Sequence, residues 1–468
     1  MIPAVAIFLF LAFKHQNALF WYIFTMNFFV MGLQRYGYIP LPVTVVCVLP
    51  QLLLLMSLII LQRPKKSSLM TPMLLGIIIW FFYLVLQVFN RTCGLPVSVK
   101  DWLTNMNFYA FYFIVAYVIV SKIVNTPENI MRFLRLWAFF SIAAAFWAWR
   151  QQTFGWDNAE NAWLMSGAAR THIIGGSIRY FSFFSDAANY GCCIASSAAA
   201  FFIVALTTKL KRDKILFGVA GALSTYGFFT SGTRSGLVCF IVGVFLYIFL
   251  SKSFKLTLFV AIMGALFVFF MAGTNIGNGN MQIRRMRTAF NKDDASMNVR
   301  DINKASMKKY LRDAPFGIGI NIDESRVPAF NKFIVVRDTP NDSTYVFFWQ
   351  RTGIVGVYVF AAMNIIILLG GCIITLTRLR SKACKGIAAA FCCGFLAIQA
   401  GGYANHILLQ YPNIILFYGG MAIVYLLPAA EPDFEAYEEK QFAIQEEKKR
   451  LRLEKKKQSR VKSWFTWT

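Results

Sequence analysis

The sequence predicts an all-α polytopic membrane protein with about 12–13 transmembrane helices. Hydrophobic residues make up 57% of the 468 residues, only 15% are charged, and the mean hydropathy is +0.53. A soluble domain has about 25% charged residues and could not bury this much apolar surface. Apolar runs recur along the chain at roughly the 20-residue length that an α-helix needs to cross a bilayer.

The individual helices are predicted from where these apolar runs begin and end. Several runs are short, so each boundary is expected to shift by a few residues. The runs lie near residues 2–13, 17–33, 41–61, 70–90, 105–121, 133–150, 187–206, 215–230, 235–250, 256–273, 352–376, 387–402 and 412–428.

Basic residues in the short loops orient the predicted helices. Two predicted helices lie between each of the five clusters of basic residues and the next, so all five clusters fall on one side together with the C-terminal tail. The positive-inside bias makes that side the cytoplasm. Loops that contact anionic head groups explain the net charge of +25. The scattered distribution argues against nucleic-acid binding. The clusters are Arg63, Lys65 and Lys66; Lys122, Arg132 and Arg135; Lys209, Lys211, Arg212 and Lys214; Lys252 and Lys255; and Arg378, Arg380, Lys382 and Lys385.

This topology divides the chain into four parts. The tail mixes acidic and basic residues at i,i+4 spacing, which favours a solvated helix, with a lipid-surface or partner contact as the alternative. The parts are N-terminal helices in 1–273 with external loops 91–104 and 151–186, one large external loop at 274–351, C-terminal helices in 352–428, and the charged cytoplasmic tail at 429–468.

The first external motif, RYFSFFSDAANYG at residues 179–191, stands just before a predicted helix. Arg179, Asp186 and Asn189 are candidate substrate-binding residues because they would lie at the outer mouth of that helix. Ser185 and Asp186 are also good helix N-caps, so a purely structural role stays open.

The second motif, FFTSGTRSG at residues 228–236, joins two predicted helices on the same outer face. Gly232 and Gly236 have the spacing that permits close helix packing. An arginine at the end of a membrane helix must pair or reach the interface. Since a helix start also offers unpaired N–H groups, Arg234 is a candidate phosphate ligand.

The third motif lies in the large external loop, with RRMR at residues 284–287. Farther on, Arg300, Lys304 and Lys308 have the spacing of one helix face. Arg284 and Arg300 are therefore candidates for binding an anionic lipid substrate, and a solvated basic face is the alternative.

The fourth motif, TPNDSTYVFFWQRTGIVG at residues 339–356, marks the change from polar loop to apolar helix. Asp342 is a candidate general base at the membrane surface. Asn341 and Ser343 beside it are candidate substrate-binding residues. As a plain N-cap, Asp342 would need no further role.

A metal or cofactor is not expected. The nine cysteines form no C-x-x-C pair, which supports neither a zinc site nor a disulfide framework. No cluster of carboxylates that would hold a metal ion is visible.

In their order and sidedness, these motifs resemble the signatures of the bacterial O-antigen ligase and polysaccharide polymerase superfamily, over roughly residues 130–430. FFTSGTRSGL is similar to the family's T-G-S-R-G segment, and SFFSDAANYG resembles the segment ahead of a middle helix. The family's R-x(n)-P-x-G-x-G pattern and its His-[Asn/Ser/Gln]-x(9)-G-x-x-G pattern are similar to Arg300, Pro315, Gly317 and Gly319, and to Asp342, Ser343, Gly353 and Gly356.

The resemblance implies a multi-pass enzyme of the bacterial inner membrane whose active site faces the periplasm. It would polymerise undecaprenyl-diphosphate-linked oligosaccharide repeat units, with an acceptor glycan lipid as second substrate. An O-antigen ligase that transfers glycan to lipid A–core is the alternative. Asp342 stands where the family's ligases carry histidine, and this departure favours the polymerase.

The residue roles that the resemblance implies describe a metal-independent, inverting glycosyltransferase. Asp342, or Asp186 if Asp342 only caps a helix, would accept the proton of the acceptor hydroxyl. Arg234 and Arg300, supported by Arg179 or Arg284, would hold the diphosphate leaving group.

Three other interpretations stay open. His172 and His406 are both external, and either could replace the base. A flippase for the lipid-linked unit would carry charges along a transmembrane cavity, whereas most charges here are external. An accessory protein of a glycan-assembly complex would tolerate substitution of its arginine motifs.

Overall fold

A computed structural model describes residues 2–37, 42–61, 70–174, 176–287 and 295–465. Over these residues the chain is almost entirely helical, and the described strands form one short antiparallel pair in which Ile173 faces Ile178. The predicted all-α polytopic class is confirmed. The basic cluster at Arg63, Lys65 and Lys66 lies outside the described residues.

The elements follow the chain in this order: α1 Ile2–Lys14, α2 Gln16–Arg35, α3 Leu49–Leu61, α4 Pro72–Leu86, α5 Val99–Met106, α6 Tyr112–Ile123, α7 Pro127–Phe154, α8 Asn158–Trp163, α9 Ala169–His172, β1 Ile173–Ile174, β2 Ser177–Ile178, α10 Ala187–Thr207, α11 Lys211–Thr230, α12 Arg234–Ser251, α13 Phe254–Gly273, α14 Met281–Arg287, α15 Ala295–Leu311, α16 Ile334–Asp338, α17 Thr344–Ile373, α18 Lys382–Ala404 and α19 Gly419–Phe465. Single π-helical turns adjoin several of them, at Thr44–Val48, Asn107–Phe111, Leu164–Ala168, Ile374–Arg378 and Ile414–Tyr418, and 3₁₀ turns occur at Gln87–Phe89 and Glu324–Arg326.

Eight helices of the described chain are long and apolar enough to cross a membrane, fewer than the expected 12–13. The five other predicted runs are also helical, in α1, α2, α3, α11 and α13. Three of these contain apolar helices of only 10–17 residues. The other two are 20 residues long but begin with the polar sequences QN and KRDK. The predicted apolar runs therefore coincide with helices in the described part of the chain.

The centre of the bundle is α10, whose apolar window is 89% buried. Its sequence AANYGCCIASSAAA is rich in small residues, so neighbouring backbones can approach closely. A Cβ added at Gly191 would lie 2.8 Å from the Thr233 Cβ, and one added at Gly236 would lie 3.1 Å from the Gly191 carbonyl oxygen. Gly236 therefore makes the close helix packing that its spacing predicts, between α10 and α12.

Basic loops and the tail helix meet at the end of the bundle where α10 terminates. Arg135 forms a bidentate ion pair with the buried Asp213, at 2.8 and 2.9 Å. Glu431 of α19 accepts hydrogen bonds from the backbone N–H groups of Arg380 and Ser381 at the start of α18. These contacts bring three of the predicted cytoplasmic loops or their flanking helices to one end, in agreement with the parity argument.

A break in α17 organises the opposite end of the bundle. Gly353 has φ 70° and ψ −176°, a conformation that is nearly restricted to glycine. The loop at 315–319 docks into this break: Ile318 N–H donates to the Gln350 carbonyl at 2.8 Å, and Val355 N–H donates to the Pro315 carbonyl at 3.2 Å. The P-x-G-x-G segment with Gly317 and Gly319 thus joins the large external loop to α17 at Gly353.

Candidate functional site

A cavity of about 460 Å³ opens at the end of the bundle where α10 begins. The ends of α12, α17 and α18 meet α14 and α15 around it. Four described lining side chains are cationic and two are carboxylates, so the cavity favours an anion. The lining residues are Ile174, Arg179, Gly232, Thr233, Arg234, Ser235, Val238, Arg285, Asp301, Asn303, Lys304, Met307, Pro340, Asp342, Ser343, Val346, Ala400, Tyr403, Ala404 and Asn405.

The turn before α12 brings three arginines together. Gly232 has φ 57°, and a Cβ there would lie 3.1 Å from Arg285 Cδ and 3.4 Å from Arg179 Cγ. Arg285 Nε donates to the Gly232 carbonyl at 2.7 Å. Gly232 therefore permits a left-handed turn and the approach of two guanidinium groups beside Arg234, and this role differs from the helix packing that its spacing predicted.

Arg179 is held rigidly in this cluster. It donates to the Thr171 carbonyl at 2.8 Å and to Thr233 Oγ1 at 2.9 Å, while its buried Nε has no hydrogen-bond partner. Burial, and next the charge of Arg285, lower the pKa of Arg179 to about 10, so the group stays protonated at neutral pH. Three guanidinium groups gathered at the edge of the cavity give it a positive potential, which favours an anionic ligand.

The start of α12 adds backbone donors to the arginines. Thr233 is the N-cap, but its hydroxyl donates to the Ala187 carbonyl at 2.8 Å and makes no cap hydrogen bond to α12. The Thr233 side chain therefore does not cap the helix, and the first residues of α12, Arg234 and Ser235, line the cavity. Such a helix start favours phosphate oxygens.

One arginine of the RRMR segment lines the cavity, but it is Arg285 and not the predicted Arg284. Arg284 is exposed and lies outside the lining, whereas Arg285 lines it. Successive side chains of a helix point about 100° apart, and in this short helix Arg285 points to the cavity whereas Arg284 points to solvent. Arg300 lies on α15 one turn before Lys304, and its side chain lies outside the described part.

Asp342 lies in the same cavity as Arg234. It is not the N-cap of α17, because Ser343 takes that place and accepts from Val346 N–H at 3.2 Å. Asn303 Nδ2 donates to Asp342 Oδ2 at 3.4 Å, so α15 holds the carboxylate from one side. Asn341, a predicted substrate ligand, is exposed and outside the cavity lining.

Asp186 and Asn189 have structural roles outside the cavity lining. Asp186 is the N-cap of α10 and accepts from Ala188 and Asn189 N–H at 2.8 and 2.9 Å. The buried Asn189 side chain donates to the Tyr411 carbonyl at 2.8 Å and accepts from Asn413. Asp186 thus has the N-cap role that the alternative interpretation of this motif gave it, and Asn189 links the start of α10 to the loop after α18.

Neither predicted histidine lines the cavity. His172 Nε2 accepts from Ala187 N–H at 3.1 Å, and its Nδ1 contacts the Ala168 carbonyl at 2.8 Å. Burial lowers the pKa of both His172 and His406 to about 4. Both rings are engaged in the packing around the start of α10 and the loop after α18, which makes them poor replacements for Asp342.

An apolar cleft of about 320 Å³ adjoins the arginine cluster. Its walls include Tyr226 and Phe229 of α11 and Phe267 and Phe270 of α13, and Ile283 of α14 closes it. The helix α14 therefore separates two different spaces, since Ile283 faces the apolar cleft and Arg285, two residues later, faces the charged cavity. Among the described residues, no group of three or more His, Cys, Asp or Glu side chains could hold a metal ion.

Sequence reasoning missed several cavity residues that come from distant positions. Asp301, Asn303 and Tyr403 line the cavity, as does Asn405, whose Nδ2 donates to Ser235 Oγ at 2.5 Å. Lys304, which its spacing from Arg300 had placed on a predicted basic helix face, also lines the cavity. No local signal marks Tyr403 or Asn405, because the last turn of α18 and the residue after it carry no motif.

A family model described as O-antigen ligase matches residues 219–361. The matched segment runs from within α11 to within α17, so it contains Arg234, Arg285 and Asp342. A comparison with curated proteins finds no relative.

Proposed function

We propose that this chain, which a family model described as O-antigen ligase matches over residues 219–361, is a membrane glycosyltransferase that polymerises undecaprenyl-diphosphate-linked oligosaccharide repeat units on the periplasmic face of the bacterial inner membrane. The observation that carries this proposal is the cavity shared by Arg234 and Asp342 at the end of the bundle opposite the basic loops. A charged cavity at a membrane surface suits a lipid-linked substrate whose reacting group is water-soluble.

The arginines supply the leaving-group site. When the bond between the anomeric carbon and the diphosphate oxygen breaks, negative charge grows on the diphosphate. Arg179, Arg234 and Arg285 stand where that charge can be held, and Arg179 and Arg285 are already fixed by backbone carbonyls. Preorganised cations of this kind stabilise a transition state without reorganisation during the reaction. They would serve without a metal ion.

Asp342 supplies the base. The acceptor hydroxyl oxygen attacks the anomeric carbon, its proton passes to the Asp342 carboxylate, and the bonding electrons of the cleaved bond leave with the diphosphate. Attack from the side opposite the leaving group inverts the anomeric centre. The arginines and the start of α12 line one wall, whereas Asp342 and Asn303 belong to the α15–α17 wall, an arrangement that suits attack across the cavity.

The apolar cleft suits the isoprenoid chain of the donor. It lies between α11 and α13, and α13 is largely exposed, including Leu258, Phe259 and Leu266. Since Ile283 and Arg285 face the cleft and the cavity from the same short helix, a lipid chain in the cleft would present its diphosphate to the arginines.

An O-antigen ligase is the second candidate, favoured by the description of the matching family. The same leaving-group and base chemistry would serve, with lipid A–core sugar as acceptor. The family's ligases carry histidine where this chain has Asp342, and this difference favours polymerisation. A flippase is less well supported, because the cationic lining collects at one end of the bundle.

Reconstituted protein can test the transferase directly. Purified wild type in proteoliposomes is supplied from outside with lipid-linked repeat units, and the products are separated by length. We expect longer lipid-linked glycan with wild type and at least a hundredfold slower elongation with Arg234→Ala. Movement of the units across the bilayer without any change in length would favour a flippase, and transfer only to added lipid A–core would favour the ligase.

A further inference from the structure

Tyr403 is a large aromatic residue that stays open inside the charged cavity. It stands in the last turn of α18, whose apolar window is 83% buried, yet its own exposure is 64%. It lines the cavity together with Asp301 and Asn303. An exposed ring leaves apolar surface in water, so a ligand with an apolar face would gain free energy by covering it.

The ring is held by its neighbours. Lys304 Nζ lies 5.0 Å from the ring centroid, and the Tyr345 ring lies 6.3 Å away at 53°. Tyr345 is itself fixed, because its hydroxyl donates to Gln399 Oε1 at 3.1 Å. Tyr403 is therefore a positioned aromatic surface with a carboxylate, an amide and an ammonium group around it.

We propose that Tyr403 is the platform for the acceptor sugar, an inference that rests on the proposed function. A pyranose ring has an apolar C–H face and a rim of hydroxyl groups. The Tyr403 ring takes the apolar face, Asp301 accepts hydrogen bonds from hydroxyls, and Lys304 donates to them. This combination of one aromatic surface with a few polar groups is what a small-molecule site requires.

The geometry assigns the platform to the acceptor rather than to the donor. Lys304 contacts the Tyr403 ring, and Asn303, its neighbour on α15, donates to Asp342. The platform is thus on the base side of the cavity. The diphosphate side belongs to α12 and α14, so a sugar on Tyr403 presents its hydroxyl to Asp342.

Aromatic residues also anchor membrane proteins at the lipid–water interface. A control tyrosine outside the cavity distinguishes this anchoring role from sugar binding. Tyr358 on α17 is 68% exposed and does not line the cavity. Full-length variants Tyr403→Ala, Tyr403→Phe, Tyr403→Leu and Tyr358→Ala are prepared in nanodiscs. The acceptor probe is the repeat-unit oligosaccharide released from its lipid by mild acid, and the donor-side probe is farnesyl diphosphate.

We expect saccharide binding to weaken about tenfold in Tyr403→Ala and Tyr403→Leu and to change less than threefold in Tyr403→Phe and Tyr358→Ala. Farnesyl diphosphate should bind all variants equally, which also reports that each is folded. Elongation should show a raised acceptor KM with little change in kcat.

Equal saccharide binding by wild type and Tyr403→Ala, with farnesyl diphosphate binding intact, overturns the platform. Saccharide binding lost in Tyr403→Leu but kept in Tyr403→Phe supports it, since leucine preserves apolar bulk without the ring. Failure of wild type to elongate lipid-linked units overturns the proposed function separately, whatever the binding data show.

Discussion

Replacement of Gly353 by alanine tests whether the glycine motifs act through backbone geometry. Gly353 breaks α17 with φ 70° and ψ −176°, and a non-glycine residue in that region costs about 1–3 kcal/mol. The new Cβ would also overlap the Pro315 carbonyl oxygen and the Gly317 nitrogen. The docked loop must then shift away from α17.

The loss of stability in Gly353→Ala can be worked out from the hydrogen bonds that this shift removes. Three backbone bonds join the loop to α17: Ile318 N–H to the Gln350 carbonyl, Gly319 N–H to the Arg351 carbonyl, and Val355 N–H to the Pro315 carbonyl. At about 1 kcal/mol each, together with the backbone strain, the loss is about 4–6 kcal/mol. Because Asp342 stands just before α17, we expect elongation to slow at least tenfold.

Hydrogen exchange and elongation together measure this effect. In Gly353→Ala, the amides of Ile318 and Gly319 should exchange at least a hundredfold faster than in wild type, and elongation should fall in parallel. Gly264→Ala is the matched control, because Gly264 lies in α13 with open space at its Cβ position, and it should behave as wild type. Wild-type protection and activity in Gly353→Ala would refute the structural role of the motif.

Three further predictions use other parts of the molecule. Arg285→Ala should slow elongation at least tenfold, whereas its exposed neighbour Arg284→Ala should stay within twofold of wild type; equal effects in the elongation assay would contradict the placement of Arg285 in the cavity. Arg135→Ala leaves the buried Asp213 carboxylate without its ion-pair partner and should lower the free energy of unfolding by about 3–5 kcal/mol. Thermal unfolding in detergent should show that the Arg135→Leu/Asp213→Asn double variant regains part of this stability. If it regains none, the ion pair is not the cause. Burial lowers the pKa of His172 to about 4, so its neutral form contributes stability above pH 6.5 that is lost as the pH falls towards 4. In His172→Gln, the unfolding temperature should therefore depend less on pH between pH 4 and 6.5 than in wild type. An unchanged pH dependence would contradict the assignment.

The fold class and the sidedness of the loops could be predicted because both depend on local composition. Apolar runs specify membrane helices, and the Arg135–Asp213 and Glu431 contacts gather loops that the charge pattern had already placed together. The sequence also singled out Arg234, which lines the cavity, since an arginine at the start of an apolar helix is costly without a partner.

Other features of the site depend on contacts between distant segments. Nothing local distinguishes Arg285 from Arg284, because only the docking of α14 against Gly232 decides which one faces the cavity. Asn189 was a candidate ligand, yet its side chain bonds to Tyr411 and Asn413, which are distant in the sequence. Tyr403 joins the cavity only through the packing of α15 against the end of α18.

The most direct test of the central proposal is the single-turnover rate of glycosyl transfer by Asp342→Asn in proteoliposomes. Asparagine keeps the shape of the side chain but cannot accept the proton, and removal of a general base costs about 10²–10⁴ in rate. We predict a loss in this range with unchanged binding of farnesyl diphosphate. A rate within threefold of wild type, with binding intact, would contradict the assignment of Asp342 as the base in the cavity that it shares with Arg234.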